Sequence, residues 1–418
     1  MQPPNSIPFV HYNLSWISYF MNQLEESNKN EKIIKNTVYT ENSHYTILRY
    51  NKTILNYDLA DTYGLVRSII FDRNNKMVSF APPKSMPTEF FIQKYPDISQ
   101  HFIQVEEFIE GTMINVFWDE TIGLSGEWEI ATRNSVGANT SFYQNSNSSQ
   151  NNKTFREMFL EAMNQCKVTF DHLTKDYVYS FVLQHPENRI VVPFQNPNLY
   201  LVAIYHCHIT MVLPLDVNYL SQNSRLKDTL IQYPKQYQEK SYAELIRKYA
   251  SMNTPYDIMG VVIHNYITGE RSKIRNPVYE QVRQLKGNHA KLQYQYLSLR
   301  HQGKMSEYLR FYPEHKKEFS MFRDDVHLFT KTLYENYIHC FVCKNSTERK
   351  IENYPRQYQN HMMVLHQQYL NELRENKLKI NYPYVINYVN EMHPSKLMFS
   401  MNYHLRKRNV VMQRTENV

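Results

Sequence analysis

Four side chains in the last third of the chain have the types that bind zinc. They are Cys340 and Cys343, in C-x2-C spacing, and His361 and His366, in H-x4-H spacing. Thiolates and imidazoles so arranged can close a tetrahedral metal shell. The stretch between the pairs is longer than in ordinary zinc fingers, so two small core or surface thiols are the preferred reading. A second pattern interleaves rings with cations in KLQYQYLSLRHQGKMSEYLRFYPEHKK, residues 291–317. Rings between cations can stack on unpaired bases. At helical spacing the same rings more often fill a core. His185 stands beside the turn-like stretch PENRIV, and a lone histidine there is more often structural than catalytic.

Composition narrows the classes. The 418 residues suffice for two or three domains with real cores. There is no apolar run of membrane-spanning length, and MQPPNSIPFVHYNLSWISYF lacks the basic leader of a secretory signal. A cytoplasmic location is expected, in which the sequon at Asn13 has no meaning. Four cysteines in so long a chain fit a reducing compartment. The net charge of +7 is unevenly placed: residues 285–418 hold 21 Lys and Arg against 12 Asp and Glu. A basic segment of that kind attracts phosphate backbones, unless it is only a solvated surface. HLRKRN near the C-terminus is too short to assign.

The elements that must position these residues are of two kinds. YTILRY, SIIFDRNNKMVSF (a hairpin around Asn74-Asn75), VEEFIEGTMINVFWD, EWEIATR, YVYSFVLQ, RIVVPF, LYLVAIYHCHITMVL and IMGVVIHN predict strands. TFREMFLEAMNQC predicts one helix among them, and the polar stretch at 143–153 a loop. Beyond about Asn276 the spacing turns helical, as in VYEQVRQLKG, HLFTKTLYENYIHCFV and LHQQYLNELREN, with prolines as punctuation. The expectation is an α+β protein: an antiparallel-sheet domain over 1–284, then a basic all-helical domain over 285–418.

Within the first domain, F-I-E-G-T at 108–112 resembles the signature K-x-D/E-G-S/T of ATP-dependent ligases and mRNA capping enzymes. Further segments follow in that family's order. GLVRSIIFD places Arg67, APPKSMPTEFF places Lys84, and EWEIATRNSVG places Arg133. YSFVLQHPENRIVVPF is similar to the strand and P-x-N-R-I-V turn of phage-type RNA ligases. IMGVVIH stands for the E-G-V-V strand, and SKIRNPVY for the K-x-K strand, which places Lys273 and Arg275. The likeness covers roughly residues 60–285. EEFIEGTMIN, WEIATR, SKIRNPVYE, LHQQYLNELRE and LMFSMNY also resemble proteins of large cytoplasmic DNA viruses, which implies a viral setting in the host cytoplasm.

The resemblance implies an RNA-ligase-like nucleotidyltransferase fold. It assigns phosphate or nucleotide contact to Arg67, Lys84, Glu110, Gly111, Arg133, Lys273 and Arg275. In the family a lysine attacks the nucleotide α-phosphate and forms a phosphoramidate. Here that position is Phe108, and no lysine lies between Lys94 and Lys153. Two family acids fall on Val182 and Met259, so the metal site looks emptied. The expectation is therefore a catalytically inactive binder of RNA or nucleotide, with no certain cofactor. One alternative is an active RNA ligase or capping-type enzyme using ATP, Mg2+ and a displaced nucleophile. Another is an assembly protein that keeps the fold alone.

Overall fold

The computed structural model describes residues 11–17, 32–56, 59, 62–141, 153–289, 291–343 and 350–405. The chain divides into two compact units, 1–283 and 284–418. The predicted loop at 143–153 lies outside the described residues except for Lys153, as does HLRKRN beyond Leu405.

In the first unit β1 (Tyr12–Asn13) is a short edge. β2 (Ile33–Tyr39), β3 (His44–Tyr50), β4 (Ile69–Phe71) and β5 (Met77–Phe80) form an antiparallel meander. The turn between β4 and β5 forms where the Asn pair predicted it. Asn75 takes a φ of 59°, and the Asp72 carboxylate accepts the backbone N–H of Asn74 and of Lys76. After α1 (Thr88–Lys94) come β6 (Ile103–Glu107), β7 (Thr112–Asp119) and β8 (Glu127–Ala131). The predicted helix is α2 (Phe155–Gln165), started by a reciprocal Thr154–Glu157 capping box. Then follow β9 (Tyr177–Gln184), β10 (Asn198–Cys207), β11 (Met211–Leu215), α3 (Val217–Asn223), β12 (Gln236–Tyr237) and α4 (Tyr242–Tyr249). β13 (Gly260–Asn265), β14 (Arg271–Arg275) and α5 (Pro277–Lys286) complete the series.

Two further antiparallel sheets result, in the orders β1-β11-β10-β9-β7-β8 and β12-β6-β13-β14. The second is the one that matters for chemistry. Its alternation buries Val105, Val261, Ile263 and Ile274 on one face, against Phe91 and Leu245. Each such side chain contributes at most about 1.5–3 kcal/mol by leaving water. That anchoring fixes the sheet register, and therefore which residues point the other way.

RIVVPF is not a strand. Residues 190–192 bend, and the backbone N–H groups of Val191 and Val192 donate to the Glu110 carboxylate instead of to a neighbouring strand. β-Propensity yields there to a tertiary hydrogen bond.

The second unit contains helices and no strand among its described residues: α6 (Leu292–His301), α7 (Met305–Phe311), α8 (Lys316–Tyr337), α9 (Arg356–Gln368), α10 (Tyr382–Glu391) and α11 (Pro394–Met401). The predicted helical stretches at 327–342 and 365–376 each pass from an α-helix into a π turn, at Ile338–Val342 and Tyr369–Leu373. Tyr296, Tyr308 and Tyr312 are buried. Tyr308 stacks on Tyr312 and on Phe319. These rings of the basic stretch are core, not a platform for bases.

Candidate nucleotide-binding cleft

The solvent-facing side of the β6-β13-β14 sheet is a small lattice of side chains. Its rows follow from the register. Gln104, His264 and Arg271 align, then Glu106, Val262 and Lys273. In the next row Gly260 pairs with Arg275, while the Phe108 N–H donates to the Gly260 carbonyl at 3.2 Å. Gly260 has a φ of 124°, and a Cβ there would stand 2.1 Å from the Ile274 carbonyl oxygen. Only glycine fits, because the β14 backbone occupies the place a Cβ would take.

This face forms one wall of a cleft of about 270 Å3. The opposite wall is the turn between β6 and β7 with the end of β9. Arg67, Phe108, Glu110, Gly111, Val182, Met259, Lys273 and Arg275 all line it. Residues far apart in sequence, singled out by motif order, are thus neighbours in space. Lys84 and Arg133 do not line it. Lys84 is exposed, and its segment acts through Pro82 and Pro83, whose carbonyls accept from the Arg271 guanidinium. Arg133 lies over the Tyr50 ring at 5.0 Å.

Gly111 and Glu110 have duties inside the protein. A Cβ on Gly111 (φ 150°) would meet the Leu183 carbonyl oxygen at 2.4 Å and a Val182 methyl at 2.7 Å. The close approach there is between β9 and the turn. Glu110 is 4 % exposed, and its Oε1 accepts from Val191 N at 2.9 Å and Val192 N at 3.0 Å. The Tyr279 hydroxyl bonds the same carboxyl group. Gln184 Nε2 donates to the Glu110 carbonyl, and Asn188 Nδ2 donates to Thr112 Oγ1. E-G-T and P-E-N-R-I-V-V are therefore clasped together.

Three acids line the cleft beside the cations: Glu106, Glu107 and Glu110. Arg275 and Arg283 share Glu280, at 2.6 and 3.0 Å. Among the described residues Arg67 and Lys273 have no carboxylate partner within salt-bridge distance. Lys273 Nζ stands 4.4 Å from the centre of the Phe108 ring, and the Arg275 guanidinium 5.4 Å from it. A ring face favours an ammonium by about 1–2 kcal/mol. Burial and the neighbouring Arg271, Arg67 and Arg275 outweigh that attraction and hold the Lys273 amine at a pKa of about 6. Burial, then Arg271, also lowers Arg67, to about 10, which leaves it charged at neutral pH. Arg271 is the functional candidate that motif reading missed. The alternation R-S-K-I-R puts 271, 273 and 275 on one strand face, and that signal was in the sequence.

Lys94 and Lys153, the lysines on either side of Phe108 in sequence, and His185 lie outside the cleft lining. Lys94 pairs with Glu270 at 2.7 Å, and Lys153 with Glu161 and Glu187 at 3.0 and 2.8 Å. His185 is 2 % exposed and faces Glu161 Oε2 at 3.0 Å. The zinc ligand types do not converge. His361 has Nδ1 on the Tyr388 hydroxyl and Nε2 on the Ser400 hydroxyl, at 2.9 and 2.8 Å, while His366 stacks on Phe341. Among the described residues no three His, Cys, Asp or Glu side chains cluster to hold a metal. No helix of the described residues is long and apolar enough to cross a membrane.

No family model matches the chain. Over 105 residues it is 31% identical to an RNA ligase of Rhodothermus phage RM378, a stretch that is 24% of this chain and 23% of the phage protein. The chain thus matches under a quarter of that relative's length. An archaeal ATP-dependent RNA ligase (form 2) aligns with a TM-score of 0.39 at 12% identity, over 66% of this chain and 65% of that one. A Naegleria gruberi RNA ligase mutant solved with ATP and Mn aligns with a TM-score of 0.34 at 10% identity, over 48% and 58%. Scores this low carry no argument, and the kinship rests on the phage match. Over that stretch the chain is similar to an RNA ligase.

Proposed function

We propose that this chain binds the phosphates of a nucleotide or of an RNA end in the β6-β13-β14 cleft, and acts in RNA metabolism. The observation that carries this reading is the convergence of Arg67, Arg271 and Arg275 on one cleft beside the Lys273 amine, with no carboxylate within salt-bridge distance of Arg67 or Arg271 among the described residues. Arginines gathered in a partly dry cleft draw an anion by focusing the field. The likeness to an RNA ligase supports phosphate of nucleotide origin. Glu110 and Gly111 serve by holding the cleft's rim in shape, with no need to touch the ligand. Phe108 offers no nucleophile, so binding is independent of any reaction at position 108.

The test is calorimetric titration of the full chain with ATP, with GTP and with a 5′-phosphorylated RNA. The double variant Arg67→Glu, Lys273→Glu should lose affinity by about tenfold or more, the worth of one or two charge-assisted hydrogen bonds. Undiminished binding by that variant would move the site elsewhere.

A further inference from the structure

We propose that this chain has a second nucleic-acid site, a pocket at the far end of β7 that takes one unpaired base of an RNA strand onto the Trp118 indole. It rests on the reading above only in taking RNA as the partner.

The sheet register builds the pocket. Trp118 on β7 lies directly across from Trp128 on β8, and Tyr177 on β9 directly across from His206 on β10. Val116 pairs with Tyr179. Trp118 and Tyr177, each two residues farther toward the same end, therefore share one face of the sheet. The four rings form a row across four strands, with centres 5.5 Å apart in the Trp118–Trp128 pair and 5.7 Å apart in the Tyr177–His206 pair. On the same face Val116, Tyr179 and Ile204 are buried in one cluster with Phe159 and Ala162 of α2. Trp118, Tyr177 and His206, at the margin of that cluster, are only half-buried. A cavity of about 150 Å3 opens beside these three rings, with Lys76, Lys175 and Asp176 also in its lining. It is separate from the cleft. Met113 and Val182, which line the cleft, stand toward the other ends of β7 and β9 and point to the opposite face.

The groups in this pocket suit a base. The Trp118 indole is fixed from one side by backbone, since a Cβ on Gly126 would stand 2.7 Å from the ring. Lys175 Nζ stands 3.7 Å from the ring centre. That lysine is exposed and, among the described residues, has no carboxylate within salt-bridge distance. A cation–π contact at an exposed site is weak, and a base stacked on a ring is worth more. The ammonium therefore yields the ring when a base arrives. Two of the pocket's acids are engaged: Asp72 accepts the Asn74 and Lys76 N–H groups, and Glu120 pairs with Lys76 at 2.9 Å. Asp176 and the His206 ring are left to meet the polar edge of a ligand. An apolar side chain from a protein partner would leave them unanswered, whereas a base is apolar on its faces and polar along its edge. Two lysines against three acids give the pocket no cationic field, so stacking supplies its affinity, with little dependence on salt.

The full chain is titrated with a short oligoadenylate bearing a 5′ hydroxyl, in salt high enough to suppress binding through the arginines of the cleft. The fluorescence of its three tryptophans is followed. We expect saturable quenching, because a stacked base quenches an indole. Trp118→Leu should lose the quenching and weaken binding about tenfold, the worth of one stacked base. Lys175→Ala, a change at an exposed position that leaves the sheet intact, should tighten binding about two- to fivefold by freeing the ring. A strand of the same length without bases should not quench. Quenching by that abasic strand overturns the proposal, as does weaker binding by Lys175→Ala or a wild-type chain that oligoadenylate leaves unquenched. The cleft is scored separately: Arg67→Glu, Lys273→Glu should keep the quenching while losing ATP in calorimetry. Loss of both in that variant would put the RNA in the cleft alone and overturn the pocket. Quenching in a wild-type chain that binds no ATP would remove the cleft reading and leave the pocket standing.

Discussion

Replacing Glu110 with alanine tests whether the acid of the E-G-T motif serves the ligand or the fold. The side chain is 4 % exposed, and one of its oxygens accepts two backbone N–H groups, from Val191 and Val192. A hydrogen bond to a charged group contributes about 1.5–3 kcal/mol, and an orphaned buried donor costs a similar amount. Two donors lost together should destabilise the first unit by about 3–5 kcal/mol. For a unit of this size that is a fall in melting temperature of about 10 °C. Glu110→Gln keeps an acceptor oxygen and loses only the charge, so its fall should be about a third as large. Thermal unfolding followed by far-ultraviolet circular dichroism measures both variants, and nucleotide titration below the transition measures the cleft. An alanine variant that melts with the wild type but binds nucleotide weakly would refute the reasoning. It would return Glu110 to the role of ligand contact.

Other outcomes follow from the same geometry. Gly111→Ala should destabilise by about 2–4 kcal/mol, because its Cβ would meet backbone at 2.4 Å in a conformation that L side chains avoid; chemical denaturation midpoints check this. His361 is buried between two hydroxyls, and burial lowers its pKa to about 4. Its unfolded form binds a proton between that value and its ordinary 6.5, so stability is complete above pH 6.5 and falls by about 3 kcal/mol as pH drops toward 4. A denaturation series across that window should show the slope, and His361→Gln should flatten it. Lys273, with its folded pKa depressed, costs stability at pH 7. Lys273→Met should therefore raise the melting temperature there, and the gain should shrink toward pH 10.5. RNA binding through the cleft should weaken steeply with salt, and Arg67→Glu should reduce the slope by about one.

Much of the architecture was readable because its signals are local. Alternation in YVYSFVLQ and the Asn74-Asn75 turn mark strands and a hairpin from neighbouring residues alone. The pair Lys273 and Arg275 was found through the resemblance of SKIRNPVY to the K-x-K strand, and β14 does place both on one strand. What sequence reading missed is non-local. RIVVPF has strand composition, yet its N–H groups go to a carboxylate eighty residues upstream in the chain. Lys84 sits in the expected segment, but it is the prolines before it that touch a cleft residue, their carbonyls accepting from Arg271. The lattice of Glu106, Val262 and Lys273 depends on sheet register, which no single strand contains. The rings of the basic stretch at 291–317 read more readily as core than as a platform for bases, and Tyr296, Tyr308 and Tyr312 are buried.

The clasp between E-G-T and P-E-N-R-I-V-V has a bearing on how such chains are diagnosed. Glu110, Gly111, Thr112 and Asn188 meet one another, and losing any of them damages the cleft's rim whether or not anything reacts inside it. A descendant that had abandoned catalysis would be under the same pressure to retain them as one that had not. Their presence in a genome is then a marker of ancestry and of a sound scaffold, and is mute about chemistry. Phe108 and Lys273 differ from them in that their side chains line the cleft without joining the clasp.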